Sequence, residues 1–240
     1  MERSDNKHRK GMKDYNVKSI DYFECKEWLL KKHYAKRIPV IQYSFGLFYD
    51  NLIVGVCTYG VPPQNNCTLI CGEKNSQYVI ELNRLIKNDN LHKNVQSWFV
   101  SQTLKLLPKP KIILSYADPN NGHIGYTYQA LNFLYVGNGG MSKEYIFNKK
   151  QYSARHINKN WFLTKKLNYN DSLTIDENFI LNSGEIIKMK PKNRYVYVNA
   201  SKKLKKKLIN DIKWDIEKYP KGDNKRYDTS YKPVTQTKLF

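Results

Sequence analysis

The sequence predicts an α/β domain, one mixed β-sheet flanked by helices, with a basic C-terminal extension. Three observations carry the prediction. Helical stripes and β-rich runs follow one another as helix, hairpin, strand, helix, strand, helix, strand, an order suited to elements layered on a mixed sheet. The chain has 240 residues, 40% of them hydrophobic, which suffices for one core of ordinary size and excludes disorder throughout. The third observation is local. Gln42 to Tyr49 and Leu52 to Tyr59 are β-rich and separated only by Asp50-Asn51, residues suited to the positive φ of a hairpin turn.

Residues 1–13 are polar and charged and read as a flexible arm. Asp21 then opens a helix as N-cap, Glu24 completes a capping box, and Tyr22, Cys25, Leu29 and His33 fall on one helical stripe. Pro39 ends the helical region, and the hairpin follows. Gly60 to Asn75, with Pro62 and Pro63, is a loop before a third strand, Gln77 to Ile86. Val95 to Leu107 is a helix stopped by Pro108 and Pro110. Lys111 to Tyr116 is a short buried strand with the loop Ala117 to Gly125 behind it. Tyr126 to Phe133 reads as a short helix and Leu134 to Val136 as a strand, with later strands near Tyr145–Phe147 and Arg194–Val198. Leu204, Leu208, Ile212 and Ile216 recur every four residues, so an amphipathic helix is expected between Lys202 and Lys218, with a polar tail after Pro220.

Composition narrows the function classes. No run of 18 uncharged apolar residues exists, so no transmembrane helix and no membrane partner are expected. The N-terminus leads into lysine and histidine rather than an apolar segment, so no secretory signal is expected. Cys25, Cys57, Cys67 and Cys71 form no Cys-x-x-Cys pair and read as reduced thiols in a cytosol. Lys and Arg number 41 against 21 Asp and Glu, a net charge of +20, and only 7 of the 41 are Arg. Richness in Lys, Asn, Ile and Tyr fits an AT-rich genome, but distribution adds a second cause. Lys188 to Arg226 holds 14 basic and 4 acidic residues, a net +10. Such a field attracts a polyanion, with nucleic acid the default partner through Lys188, Lys190, Lys192, Arg194, Lys202, Lys203, Lys205, Lys206 and Lys207. A solvated lysine-rich tail with no partner gives the same count.

Three clusters hold the candidate chemistry. The richest is Ser115-Tyr116-Ala117-Asp118-Pro119-Asn120-Asn121-Gly122-His123-Ile124-Gly125-Tyr126-Thr127-Tyr128, which follows the carboxyl end of a buried strand, where open α/β sheets bind ligands. Asp118 is read there either as a functional carboxylate or as a cap on the turn before Pro119, and His123 either as a ligand or as a solvated loop histidine. His33-Tyr34 closes the first helix, where an imidazole also complements a helix C-terminus. Glu81-Leu82-Asn83-Arg84 through Asn90 to Ser97 passes from strand to helix start, an anion site by its free N–H groups. Arg84 pairs there with a phosphate or with Glu81. Neither Gly-x-x-x-x-Gly-Lys nor Gly-x-Gly-x-x-Gly nor Gly-x-Ser-x-Gly is present.

Taken in order, these stretches carry a resemblance. Lys32-His33-Tyr34 with Pro39 and Phe45-Gly46, Val54-Gly55-Val56 to Tyr59-Gly60, Glu81 to Leu85, Asn94 to Ser97, Ser115 to Asp118 with Gly122, His123 and Gly125, Tyr128-Gln129-Ala130, and Asn132-Phe133 to Gly137 resemble the Mom family of phage DNA adenine-modification proteins. The similarity covers roughly residues 28–137 and resumes at Lys192–Tyr197 and Tyr219–Gly222. The resemblance implies an N-acetyltransferase-like (GNAT) fold over residues 14–200, with 201–240 as a DNA-contacting extension. It implies use of acetyl-CoA, together with iron, to convert adenine in double-stranded DNA to N6-methylcarbamoyladenine. The product shields phage DNA from restriction in the cytoplasm of the infected bacterial host. The family's functional positions fall on His33, Tyr34, Arg84, Ser97, Asp118 and Tyr128. The Gly-rich pyrophosphate loop usual in such folds is replaced by Lys87 to Asn94, so either CoA binds through different contacts, with Arg84, Lys93, Asn94 and Ser97 the expected ones, or the acyl donor differs.

Physical roles can be assigned beside the resemblance. The adenine amino group is a poor nucleophile because its lone pair is delocalised, so a base such as Asp118 or His33 contributes about 10²–10⁴-fold. The target base must also leave the stack, at a cost that aromatic walls such as Tyr34, Tyr116, Tyr126 and Tyr128 offset. Iron wants imidazole and carboxylate ligands, and His33, Asp118 and His123 are the candidates. Two other readings stay open on sequence: an ordinary acetyltransferase acting on a protein or small amine, and a non-catalytic DNA-binding protein. The oligomeric state is not set by the sequence.

Overall fold

Tight turns and alternating apolar residues organise the first half of the chain. A computed structural model describes residues 11–222, so most of the expected arm and of the tail after Pro220 lies outside the described residues. Strand β1 (Tyr15–Ser19) precedes α1 (Tyr22–Glu27), which the sequence placed correctly: the Asp21 N–H donates to Glu24 Oε2 at 2.8 Å. The helix then widens into a π-turn, Trp28–Lys32, and His33 is already extended. Cys25, Leu29 and His33 of the expected stripe are buried and Trp28 and Lys32 join them, while Tyr22 is 40% exposed, a correction at that one position. Strands β2 (Tyr43–Tyr49) and β3 (Leu52–Gly60) form the predicted hairpin, and Asp50 (φ 48°) and Asn51 (φ 60°) take the left-handed conformations that its two-residue turn requires.

A one-turn helix, α2 (Asn65–Thr68), interrupts the expected loop, and then β4 (Val79–Lys87), α3 (Val95–Leu106) and β5 (Lys111–Ala117) follow. Helix α3 is the crossover that lets β4 and β5 lie parallel. The expected helix over Tyr126–Phe133 is a single turn, α4 (Tyr126–Gln129), because Asn132 turns left-handed (φ 56°) ahead of β6 (Leu134–Asn138). Strand β10 (Asn193–Asn199) inserts between β5 and β6, antiparallel to both. Together these strands make a seven-stranded mixed sheet, ordered β1-β2-β3-β4-β5-β10-β6, the mixed sheet flanked by helices that the sequence predicts.

Helices cover both faces. Val95, Phe99, Val100 and Leu104 of α3 pack on Ile80, Leu82, Ile113, Cys57 and Tyr59. On the other face Cys25, Trp28 and Leu29 meet Ile53, Val56 and Ile86, and Leu208 meets Ile112, Leu114, Val196 and Val198. Leu208 belongs to α7 (Lys202–Asn210), which stops well short of Lys218. The period-four pattern does continue, but the backbone leaves the helix: the Lys213 N–H donates to Ile70 O and the Glu217 N–H to Tyr135 O, so the chain runs on beside β6. Ile216 is consequently 52% exposed.

Between β6 and β10 lies a structure of which one strand, near Tyr145–Phe147, was expected. Strands β7 (Ser142–Phe147) and β8 (Lys150–Ser153), helices α5 (Lys159–Thr164) and α6 (Ile175–Leu181), and β9 (Glu185–Met189) form a second, three-stranded sheet ordered β8-β7-β9. Its own core is Tyr145, Ile157, Phe162 and Phe179. All four cysteines are free and buried. No helix among the described residues is long and apolar enough to cross a membrane.

Candidate active site

The parallel strands β4 and β5 part company early. Their pairing ends at Leu82 and Ser115, where Ser115 Oγ donates to Leu82 O at 3.1 Å, although β4 continues to Lys87 and β5 to Ala117. Just there, β4 carries a bulge against β3: Tyr59 faces Leu82 but Thr58 faces Arg84, leaving Asn83 as the extra residue. Asn83 is held by Thr58 Oγ1, which donates to its Oδ1 at 2.6 Å, and by its own Nδ2, which donates to Val40 O at 3.0 Å. In a regular strand, residues 81 and 84 would point to opposite faces. The bulge puts Glu81 and Arg84 on one face, the side on which α1 packs, while Leu82 and Leu85 face α3.

That face gathers titratable groups from four separate stretches of chain. Arg84 is 9% exposed; its Nη1 donates to Asn83 O (2.6 Å) and Nη2 to Arg37 O (3.4 Å). It forms no ion pair with Glu81, so the surface salt bridge considered from sequence is absent. Arg84 Nε and Glu81 Oε2 are both buried with no hydrogen-bond partner among the described residues. Burial pushes the Glu81 carboxyl up to about 7, against the opposing pull of Arg84, Lys192, Arg155 and Arg37. His33 is 5% exposed and stacks on Tyr34 with ring centroids 4.3 Å apart; Tyr34 in turn lies 6.2 Å from the His123 ring. Burial, followed by the charges of Arg84, His123, Lys192 and Arg37, lowers His33 to about 3. The Ala35 N–H donates to His33 Nδ1 at 3.0 Å, so the neutral ring carries its proton on Nε2.

Asp118 closes the site from β5. It is 7% exposed; Oδ1 accepts from Asn120 N (3.0 Å) and Nδ2 (2.9 Å), and Oδ2 pairs with Lys192 Nζ at 3.1 Å. Burial opposes its charge, but Lys192 and Asn120 outweigh burial and hold the carboxyl below its usual range. Asn120 also exchanges two 2.9 Å hydrogen bonds with the backbone of Lys190. The loop after β5 is thereby fastened to the segment entering β10. Asp118 caps the turn, as one of its two sequence readings expects, and it is also a buried, ion-paired carboxylate.

The remaining predicted residues lie elsewhere or on the other face. Tyr128 is buried with Phe133 and Tyr195 in the core that contains α3, and burial, with Tyr34, Cys57 and Glu81 adding to it, raises its hydroxyl pKa. Lys93 and Asn94 are exposed at the start of α3, and Ser97 Oγ donates back to Asn94 O at 3.1 Å. The N-cap Asn94 makes no side-chain cap bond, so the first turn of α3 retains donors that fit a donor pyrophosphate. Arg84 does not share that site: its charged neighbours are Arg37, Tyr34 and Glu81. Iron does not fit. Among the described residues no three His, Cys, Asp or Glu side chains are arranged to hold a metal ion. Asp118 is committed to Lys192 and Asn120, and His33 Nδ1 to Ala35.

The basic residues divide into two groups. Lys188, Lys190, Lys202, Lys203, Lys206 and Lys207 are exposed. Lys192 pairs with Asp118, Arg194 lies 4.1 Å over the Trp214 ring, and Lys205 Nζ lies 4.7 Å over Tyr197. The missed residue of the site is Glu81, weighed from sequence only as a partner for Arg84. Its signal was an acidic side chain on a strand face otherwise lined by Val79 and Ile86.

Comparison with known proteins adds a family. A family model described as the Mom protein family matches residues 14–221. The methylcarbamoylase Mom of Escherichia phage Mu is 30% identical over 134 residues, covering 53% of this chain and 55% of the relative; the chain thus spans about half the length of that relative. An N-acetyltransferase from Staphylococcus aureus Mu50 aligns at 11% identity and a TM-score of 0.41, over 77% of this chain and 98% of its own. YncA from Salmonella typhimurium, solved with its cofactor acetyl-CoA, aligns at 9% identity and a TM-score of 0.37, over 52% of this chain and 82% of its own.

Proposed function

The chain belongs to the Mom protein family, and on that premise we propose that it is a DNA-modifying transferase that attaches a group from an acetyl-CoA-type donor to the N6 amino group of adenine. N6-methylcarbamoyladenine is the product this reading assigns, and protection of phage DNA from restriction inside the host cytoplasm is its purpose. One observation carries the reading. Residues distant in sequence, His33-Tyr34, Glu81, Arg84, His123 and the Asp118–Lys192 pair, converge where β4 and β5 separate.

The arrangement suits an extruded base. Tyr34, stacked on His33 and 6.2 Å from the His123 ring, belongs to an aromatic group that an extruded base would join, offsetting lost stacking, which costs a few kcal/mol. Neutral His33 presents an Nε2–H donor, and Arg84 keeps an unpaired Nε–H. Lys93, Asn94 and Ser97 at the start of α3 would hold the phosphates of the donor, which when bound would supply carbon of the attached group. The exposed lysines of α7, with Lys188 and Lys190, meet the DNA backbone.

Digesting DNA from cells that express the chain and weighing the nucleosides by mass spectrometry tests the reading. A deoxyadenosine heavier by a methylcarbamoyl group is expected. Unmodified deoxyadenosine alone, beside a newly acetylated protein or amine, would hand the site to an ordinary acetyltransferase.

A further inference from the structure

We propose that Arg37 and Arg155 form a clamp at the mouth of this site that grips the phosphodiester backbone of the DNA strand beside the extruded adenine. The inference rests on the DNA-modifying reading above and adds to it a backbone-binding site separate from the lysines of α7.

Residue type supplies the first argument. Only 7 of the 41 basic residues are Arg, and four of the 7, Arg37, Arg84, Arg155 and Arg194, fall among the described residues. All four gather about one carboxylate. The charges of Arg37, Arg84 and Arg155 act on Glu81, and that of Arg194 acts on Tyr116, which also feels Glu81. Arginine differs from lysine in carrying a planar fork that holds two phosphate oxygens at once, where an ammonium is a point charge. Two of the four forks are already engaged. Arg84 is buried and donates to the carbonyls of Asn83 and Arg37, and Arg194 lies 4.1 Å over the Trp214 ring. Arg37 and Arg155 are exposed, and neither forms an ion pair among the described residues.

Placement supplies the second argument. Arg37 follows the first helix on the side of Glu81 occupied by His33 and Arg84, and its carbonyl accepts from Arg84 Nη2 at 3.4 Å. Arg155 comes from the inserted sheet, in the turn Ala154–His156 that follows β8. The base of that insertion is clasped: the Gly139 N–H donates to Lys192 O at 2.7 Å, and Asn138 pairs with Asn193. Beside the clasp, Asn120 holds the backbone of Lys190 and Asp118 holds Lys192. The insertion is thereby tied to the loop that carries Asp118, and its exposed arginine stands over the site from a second side. Little at the mouth repels a phosphate, because Lys192 neutralises Asp118 and burial pushes Glu81 toward its uncharged form. Phosphate contacts of this kind fix where a strand lies without reading its sequence.

The test measures binding of the purified full chain to a fluorescent duplex by anisotropy over a salt series, and to acetyl-CoA by calorimetry. Arg37→Gln and Arg155→Gln should each flatten the slope of log affinity against log salt by about 1, and the double variant by about 2. The loss should be the same for every duplex sequence, and acetyl-CoA affinity should not change. Arg37→Lys combined with Arg155→Lys should keep the slope, since the charge remains, yet bind DNA about threefold or more weakly, since the forks are gone. A slope for the Gln double variant within about 0.5 of the unaltered chain overturns the clamp. Lost acetyl-CoA affinity beside an unchanged slope gives both arginines to the phosphates of the donor, and overturns it too. Should the Gln double variant fail to fold, the Lys double variant decides: DNA affinity equal to that of the unaltered chain overturns the grip. No DNA binding by the unaltered chain at low salt fails the functional reading and takes the clamp with it, an outcome distinct from the others.

Discussion

His33 shows how burial and one backbone hydrogen bond settle what a residue type leaves open. In water an imidazole titrates near 6.5, but here burial and four neighbouring positive or ring charges hold it neutral down to about 3. A proton bound by the unfolded chain below about 6.5, and refused by the folded one, costs about 1.4 kcal/mol of stability per pH unit as pH falls toward 3. Urea unfolding at pH 7 and pH 5 should therefore show the unaltered chain losing about 2 kcal/mol more than His33→Gln. Equal losses in both chains would mean that His33 titrates as it does in water. His33, Tyr34, Arg84 and Asp118 were legible in the sequence because motif order marks them. Glu81 was not, because a two-residue alternation places 81 and 84 on opposite faces, and only the extra residue Asn83 brings them together. Lys192 was read as a phosphate contact for a similar reason: its ion pair with Asp118 depends on how β10 meets β5, Asn193 lying opposite Ala117.

Elements were legible where the chain carries its own punctuation. Asp50-Asn51, the Asp21–Glu24 box and the two prolines after α3 each fix a boundary locally. Strand β1 was missed because its side chains beyond Tyr15 and Val17 are polar and its partner is the distant β2. The inserted sheet was missed because β7, β8 and β9 are short and pack on Phe162 and Phe179, contacts that no local pattern announces. Helix α7 errs in the opposite direction. Its period of four runs past the true end, since Ile212 still reaches the Ile70–Val198 cluster while Ile216 reaches nothing comparable. The two ends should differ in energy. Leu208→Ala, which empties a fully buried site, is expected to cost about 2–5 kcal/mol in urea unfolding, and Ile216→Ala less than about 0.5 kcal/mol. Similar costs at the two positions would extend the helix to the length its periodicity suggests.

At the scale of the whole molecule, charge and chemistry are joined by one loop. Asn120 grips the backbone of Lys190, Asp118 pairs with Lys192, and β10 then leads into the lysines of α7, so the exposed basic surface connects covalently to the site it would serve. Those lysines also crowd the first turns of α7, where the helix dipole disfavours cations. Apposition of a phosphate backbone would relieve that repulsion, and release of condensed counterions would drive the association. Replacing Lys202, Lys203, Lys206 and Lys207 with Gln should weaken binding to every duplex sequence alike. It should also flatten the slope of log affinity against log salt by about 3 to 4, close to one counterion per lost phosphate contact. The same variant should keep its fold, since these four side chains are exposed and Leu208 is untouched. A slope that does not change would remove α7 from the DNA-binding surface. The duplex would then have to be held by Lys188, Lys190 and the edge of the inserted sheet, and substitutions in β9 would be the ones to change the slope.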